Sequence, residues 1–147
     1  MGPWWAELVT WGVVNAVNLA QTVGFASRRR HGLRVNHTIG WLIAALAVPA
    51  TVALWGLARA GNPWWIGPAV FDAFVALMLV VDYLRPVEWR HPARPTILVS
   101  YLMLFFGAIL LMGIPMYTLN RGLWLVTVAT TVSLLTAMVV AIRQGNG

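Results

Sequence analysis

Five long stretches of apolar residues divide the chain, and each is uncharged or nearly so. They cover residues 5–27, 38–57, 66–84, 96–119 and 123–142. A helix needs about 20 mostly apolar residues to cross a bilayer. The runs are continuous and do not alternate with polar residues, which excludes a closed β-barrel, and a helix satisfies its own backbone amides. The pattern predicts an all-α, polytopic transmembrane helical bundle with five spans.

The overall composition agrees with a chain that has little watery surface. Hydrophobic residues make up 60% of the sequence, charged residues make up 10%, and the mean hydropathy is +0.75. A soluble domain is about 45–50% apolar and about 25% charged. These values exclude a soluble enzyme and a disordered chain, and the lack of cysteine excludes a disulfide scaffold. Because the connections are short, residues 1–147 are expected to form a single domain.

The arginines predict the orientation of the bundle. The first and third loops and the C-terminal tail carry eight of the ten arginines: Arg28, Arg29, Arg30, Arg34, Arg85, Arg90, Arg94 and Arg143. The opposite side has only Arg59 and Arg121. The positive-inside rule therefore predicts an outer N-terminus and a cytoplasmic C-terminus, in the cell (inner or cytoplasmic) membrane.

The arginines of the same loops account for the net charge of +6. Basic loops at the cytoplasmic face attract anionic lipid headgroups, so nucleic acid is not an expected partner. The residues expected to contact those headgroups are Arg28, Arg29, Arg30, Arg34, Arg90 and Arg94. Tryptophans mark the opposite interface, where an amphipathic indole anchors a helix at headgroup depth. The expected anchors are Trp4, Trp5, Trp64, Trp65 and Trp124.

A spacing of 60 residues recurs along the chain. Pro3-Trp4-Trp5 is repeated as Pro63-Trp64-Trp65, and Arg30-His31 is repeated as Arg90-His91. This predicts a two-helix repeat, residues 1–60 and 61–120, with the fifth span unpaired; parallel repeats of this kind occur in transporters. The alternative is that tryptophan anchors and basic loops recur in any helical hairpins of equal length.

Asp72 is the main candidate for chemistry, because it lies within the third predicted span. A charged side chain costs several kcal/mol inside a bilayer and marks a functional site by default. No basic residue lies within one helical turn of it in the sequence. One interpretation is a carboxyl that binds a proton or cation on a transport path. The other is a protonated acid that donates a hydrogen bond between helices.

Asn15 and Asn18 are the second candidates. With Glu7, Trp11 and Thr22 they form a polar stripe on one face of the first helix, which is expected to face protein or water and not lipid. The two amides fall at a depth similar to that of Asp72, so one polar cluster is possible. The alternative is that they only hold helices together.

Enzymatic patterns are absent from the sequence. There is no converging Ser-His-acid set, no paired-histidine zinc motif and no glycine-rich phosphate loop, so no cofactor or metal is expected. Two functions remain. The first is a transporter or channel subunit that moves a proton, ion or small solute through the bundle. The second is a non-catalytic subunit of a larger membrane complex. Either role implies a homo-oligomer or other membrane subunits as partners.

Overall fold

The computed structural model describes residues 3–31, 34–85 and 94–145, apart from the side chain of Arg29. All of the secondary structure in these ranges is helical. The elements in chain order are α1 (Trp4–His31), α2 (Arg34–Arg59), a short 3-10 helix (Pro63–Trp65), α3 (Ile66–Met78) with a π-helical end (Leu79–Leu84), α4 (Pro95–Gly113), α5 (Pro115–Leu119) and α6 (Arg121–Arg143).

Four of the helical segments are long and apolar enough to cross a membrane: Arg34–Arg59, Pro63–Leu84, Pro95–Leu119 and Arg121–Arg143. They correspond to the second to fifth predicted spans. With 28 residues α1 has the length for a span, but it is not among the four. The polar stripe lowers the mean hydropathy of α1, so α1 does not count as a membrane-crossing helix by length and composition alone. The fold is compatible with a multi-pass membrane protein.

The helix boundaries differ from the predicted spans where prolines interrupt the backbone. The fourth predicted span, 96–119, is divided into α4 and α5, because Pro115 has no N–H to continue the hydrogen-bonding of α4. The third helical segment begins three residues before the predicted span, with the 3-10 helix that starts at Pro63. Asn62 accepts a hydrogen bond from the Trp64 amide and so caps this start, at 3.0 Å.

Consecutive long helical segments run in opposite directions. Along the interface of α1 and α2, Gly24 lies beside Asn36 at one end and Gly56 lies beside Trp5 at the other. Glycine at these two positions allows close approach, since a Cβ atom at Gly56 would lie 2.6 Å from the Trp5 ring. The two helices are therefore an antiparallel hairpin.

The second hairpin packs against the first. Tyr83, on the π-helical end of α3, donates a hydrogen bond to the His37 carbonyl near the start of α2, at 2.8 Å. On the other side of α3, the Phe74 ring meets the Tyr101 ring of α4 edge-on, with centroids 5.0 Å apart. Helix α4 also contacts α1, so α1 to α4 enclose one apolar core. In a bilayer this core contributes through close van der Waals packing.

Helix α6 packs along α1, runs parallel to it and adds the fully buried Leu134 to the apolar core. Trp11 Nε1 donates to the Leu123 carbonyl at 2.9 Å, and Asn15 Nδ2 donates to Thr127 Oγ1 at 3.1 Å. Both pairs are 112 residues apart in sequence, which only two parallel helices in constant register produce. The first, third and fifth long helical segments thus share one direction, and the second and fourth share the opposite one.

The alternating directions collect the arginines at one end of the bundle. This basic end holds six of the described arginines: Arg28, Arg30, Arg34, Arg85, Arg94 and Arg143. Arg59 and Arg121 lie at the opposite end. The five anchor tryptophans also lie at that opposite end, which we call the tryptophan end. This separation agrees with the loop assignment made from the sequence. The proposed 60-residue repeat remains a prediction, since any two hairpins would place these residues in the same way.

Gly67 is a close-packing position between α3 and α4. A methyl group added there would lie 3.0 Å from both the carbonyl carbon and the oxygen of Leu111, and backbone atoms cannot move aside as a side chain can. We expect Gly67→Ala to lower the unfolding free energy by about 1–3 kcal/mol, the usual cost of overpacking. Thermal unfolding in detergent measures this. Gly107→Ala in α4 is the control, because its nearest contact would be Val70 at 3.8 Å. Equal stability of the two variants would contradict the prediction.

Candidate functional site

The Asp72 carboxyl lies at the interface of α3 with α2, where its partner is Thr51. The distance from Thr51 Oγ1 to Asp72 Oδ2 is 2.9 Å, and the distance from the same hydroxyl to the Ala47 carbonyl oxygen is also 2.9 Å. A threonine hydroxyl has a single proton but two lone pairs. It can therefore donate to only one of these two oxygens at a time.

This arrangement suits both protonation states of Asp72. When the carboxyl is ionised, the Thr51 hydroxyl donates to Oδ2. When the carboxyl carries a proton on Oδ2, Asp72 donates to Thr51, and the hydroxyl turns its own proton to the Ala47 carbonyl. Only hydrogen atoms change position between these states, because all heavy-atom distances are already within hydrogen-bonding range. The pair is thus able to gain and lose a proton without repacking α2 against α3.

The other carboxyl oxygen is unsatisfied within the part of the chain that the structure describes. Asp72 Oδ1 is buried and has no hydrogen-bond partner there. The aspartate as a whole is half-buried, between the buried Phe71 and the exposed Ala73 of the same helix. It therefore lies at the margin of the α2–α3 interface and not in the core of the bundle. A buried carboxyl oxygen without a donor is uncommon and is typical of a site that holds an ordered water or an ion.

The asparagines of α1 form a different polar interface, with the hydroxyl groups of α6. Asn15 donates to Thr127, and it accepts a hydrogen bond from Thr130 at 2.8 Å. Asn18, which has no exposed surface, donates to Thr130 at 3.1 Å and to Thr131 at 3.0 Å. We call these five residues the α1–α6 seam. Thr130 and Thr131 follow Thr127 by three and four positions on α6, so all three threonines face α1.

The structure does not join the two candidate groups into one hydrogen-bonded cluster. Asp72 bonds to α2, whereas Asn15 and Asn18 bond to α6, which packs on a different side of α1 from α2. The polar stripe also divides at the tryptophan end. Glu7 is buried and accepts a hydrogen bond from Asn62, at 2.8 Å, which ties α1 to the turn before α3.

Sequence reasoning missed Thr51 as part of the candidate site. It is 21 residues from Asp72, and no spacing rule links two residues on neighbouring antiparallel helices. One signal was present: Thr51 is the one hydroxyl residue between Ile39 and Leu57, within an otherwise apolar stretch. The partners of the asparagines had a clearer signal, since α6 carries a run of threonines.

The predicted lipid-contacting arginines have different environments. Arg28 bonds within the protein: with the Asn36 amide oriented to donate to Gly24, its oxygen accepts from Arg28 Nε and Nη2, each at 2.8 Å. The Arg28 guanidinium also stacks on the Phe25 ring, 4.3 Å from its centroid. The side chains of three others are exposed at the basic end: Arg30, Arg34 and Arg94. The Arg29 side chain and Arg90 lie outside the described residues.

The predicted tryptophan anchors are exposed to different degrees. Trp4 is 70% exposed, and Trp5 and Trp65 are each 41% exposed. Trp64 and Trp124 are half-buried, and the Trp124 ring packs edge-on against Tyr117 with centroids 5.1 Å apart. Exposure of large indoles at one end of an apolar bundle is the arrangement that interfacial anchoring requires.

No protein-family model, no curated protein and no solved structure matches this chain.

Proposed function

We propose that this protein is a multi-pass protein of the cell (inner or cytoplasmic) membrane with five spans, its N-terminus outside and its C-terminus in the cytoplasm. The four apolar helical segments supply four spans. The parallel register of α1 with α6 supports α1 as the fifth, since α6 is one of the four and the two helices are matched along their length. The arginines at the basic end support the orientation.

Within that membrane, the protein is a transporter or channel subunit in which Asp72 binds a proton or a cation. The observation that carries this proposal is the Thr51 hydroxyl, which lies 2.9 Å from both Asp72 Oδ2 and the Ala47 carbonyl. A carboxyl that exchanges a proton during transport needs a partner that can both donate and accept, and a hydroxyl does so.

The route of the proton or cation across the membrane is formed together with other copies of the chain. The space that α1, α2, α3 and α4 enclose is filled by packed apolar side chains. Phe74 and Ile43 are among them and are 0% exposed. Asp72 instead is half-buried at the margin of the α2–α3 interface, where it bonds to Thr51. A second copy against this surface would cover the carboxyl and complete a polar route. The protein therefore acts as a homo-oligomer.

A second candidate function is that of a non-catalytic subunit in a larger membrane complex. The observation that favours it is the α1–α6 seam, where Asn15 and Asn18 bond to threonines and so hold helices together. Under this alternative, Asp72 is also a packing residue, and its bond to Thr51 holds α3 against α2. Membrane lipids contact the exposed arginines and tryptophans under either function.

Ion flux in liposomes tests the first candidate against the second. The full chain is reconstituted with a pH-sensitive dye inside, and a potassium gradient with valinomycin sets the membrane potential. We expect protons to enter these vesicles well above the rate for protein-free vesicles. Parallel vesicles measure the entry of sodium and of potassium. If neither protons nor these cations cross faster than in protein-free vesicles, the transport proposal is wrong and the subunit role gains support.

A further inference from the structure

A groove separates the last turns of α1 and α6 on the surface of the bundle. The two helices are parallel there, so both approach the basic end together. The groove has a volume of about 610 Å³. Its wall is apolar and includes Val23, Ala26, Ala137 and Val140, while Arg30 and His31 lie at its mouth. Phe25, Ser27, Ala141 and Gln144 complete the lining.

The electrostatic character of the groove mouth is positive. Arg30 lines it, and Arg143 precedes Gln144, which also lines it. The carbonyl ends of α1 and α6 point to the same place, but each carries only about half an elementary negative charge. Of the acidic residues that the structure describes, none lines the groove. The nearest one to this end, Asp82, is on the π-helical segment, which packs against α2.

We propose that this groove binds one anionic phospholipid of the cytoplasmic leaflet. The headgroup phosphate is bound by Arg30 at the mouth, and an acyl chain lies along the apolar wall between α1 and α6. Such a ligand needs a cation at headgroup depth and an apolar surface directly below it, which is the order of residues along this groove. The site is separate from Asp72 and independent of the transport proposal, but it rests on the proposed orientation, which puts the basic end in the cytoplasm.

A second copy of the chain fits this groove less well. Its own basic end would lie at the same depth in the membrane, so an interface here would bring the arginines of two copies together. Like charges at a contact cost binding energy. A phospholipid with a negative phosphate neutralises the arginine instead. The surface facing Asp72 carries no arginine on α3 and is the better place for contact between copies.

Native mass spectrometry of the full chain in mild detergent tests the headgroup contact. Palmitoyl-oleoyl phosphatidylglycerol is titrated against phosphatidylcholine with the same acyl chains. We expect one phosphatidylglycerol adduct per chain to bind more tightly than phosphatidylcholine. Arg30→Gln weakens that adduct about fivefold, the effect of one arginine near an anionic lipid surface. Arg121→Gln is the control, because Arg121 is exposed at the tryptophan end, away from the groove, and it leaves the adduct unchanged.

A second pair of variants tests the apolar wall. Val140 and Val139 are neighbours on α6 and are 46% and 43% exposed, but only Val140 lines the groove. Val140→Trp fills it and is expected to remove the phosphatidylglycerol adduct, whereas Val139→Trp keeps it. The proposal is wrong if both lipids bind equally and the arginine variants do not differ. It is also wrong if the wild-type chain is a lipid-free dimer that Val140→Trp separates.

Discussion

Asp72→Asn is expected to reduce ion flux through the reconstituted protein to the level of protein-free liposomes. Asparagine has nearly the same shape, and it can still bond to Thr51, so the α2–α3 interface is preserved. It cannot, however, gain or lose a proton in the physiological range, and it has no charge with which to bind a cation. The measurement is the initial rate of dye response in vesicles of matched protein content, after circular dichroism has shown equal helicity.

Two further variants separate the role of the carboxyl from that of its partner. Thr51→Val removes the hydroxyl but retains the shape of the side chain, and we expect flux to fall about tenfold, since a hydrogen bond to a charged group contributes about 1.5 kcal/mol. Asp82→Asn makes the same chemical change ten residues along the same helical segment and is expected to leave flux unchanged. Wild-type flux from Asp72→Asn would exclude Asp72 as the ion-binding group.

Removing both seam amides, by Asn15→Ala with Asn18→Ala, is expected to loosen α6 from the rest of the bundle. The change deletes four hydrogen bonds between α1 and α6. At about 0.6 kcal/mol for a polar contact between membrane helices, the loss is about 2 kcal/mol, and the cavities left in the seam add to it. Unfolding by SDS in mixed micelles, followed by tryptophan fluorescence, should occur at a lower SDS fraction.

The matched control lies on α6, on the face that points away from the α1–α6 seam. Ser133 and Thr136 are exposed and donate only to carbonyls of α6 itself, at 2.9 Å and 2.8 Å. Replacing both with alanine removes two hydroxyls from α6 without touching the seam, and we expect little change in stability. If the control unfolds at the same SDS fraction as the asparagine variant, the seam does not hold α6 in place.

Sequence reasoning located the helices well because their cause is local. Each apolar stretch must bond its own backbone amides within itself, so its length and composition are sufficient to predict a helix. The exceptions are also local: Pro115 divides α4 from α5, and Pro63 starts a 3-10 turn. The collection of arginines at one end follows from the same rule, since short turns between long helices force alternating directions.

The candidate site was less predictable, because it depends on which faces of the helices meet. Asp72 and the two asparagines fall at similar depths in the sequence pattern, yet they face different neighbours. Their partners, Thr51 and the α6 threonines, are 21 and 112 or more residues away. The polar stripe on α1 similarly lowers its hydropathy below that of the other segments. Only the packing of α6 over that stripe explains how a helix with two central amides fits into the bundle.

The sequence by itself therefore determined the all-helical class, the approximate extent of the long helices and the asymmetric placement of arginine and tryptophan. Each of these follows from residues that are close together in the chain. The tertiary structure decided that α6 packs parallel to α1, that the asparagines bond to its threonines, and that Asp72 shares a hydroxyl with the Ala47 carbonyl. The rotation of a helix about its own axis depends on all of its neighbours at once, so no single stretch of sequence contains it.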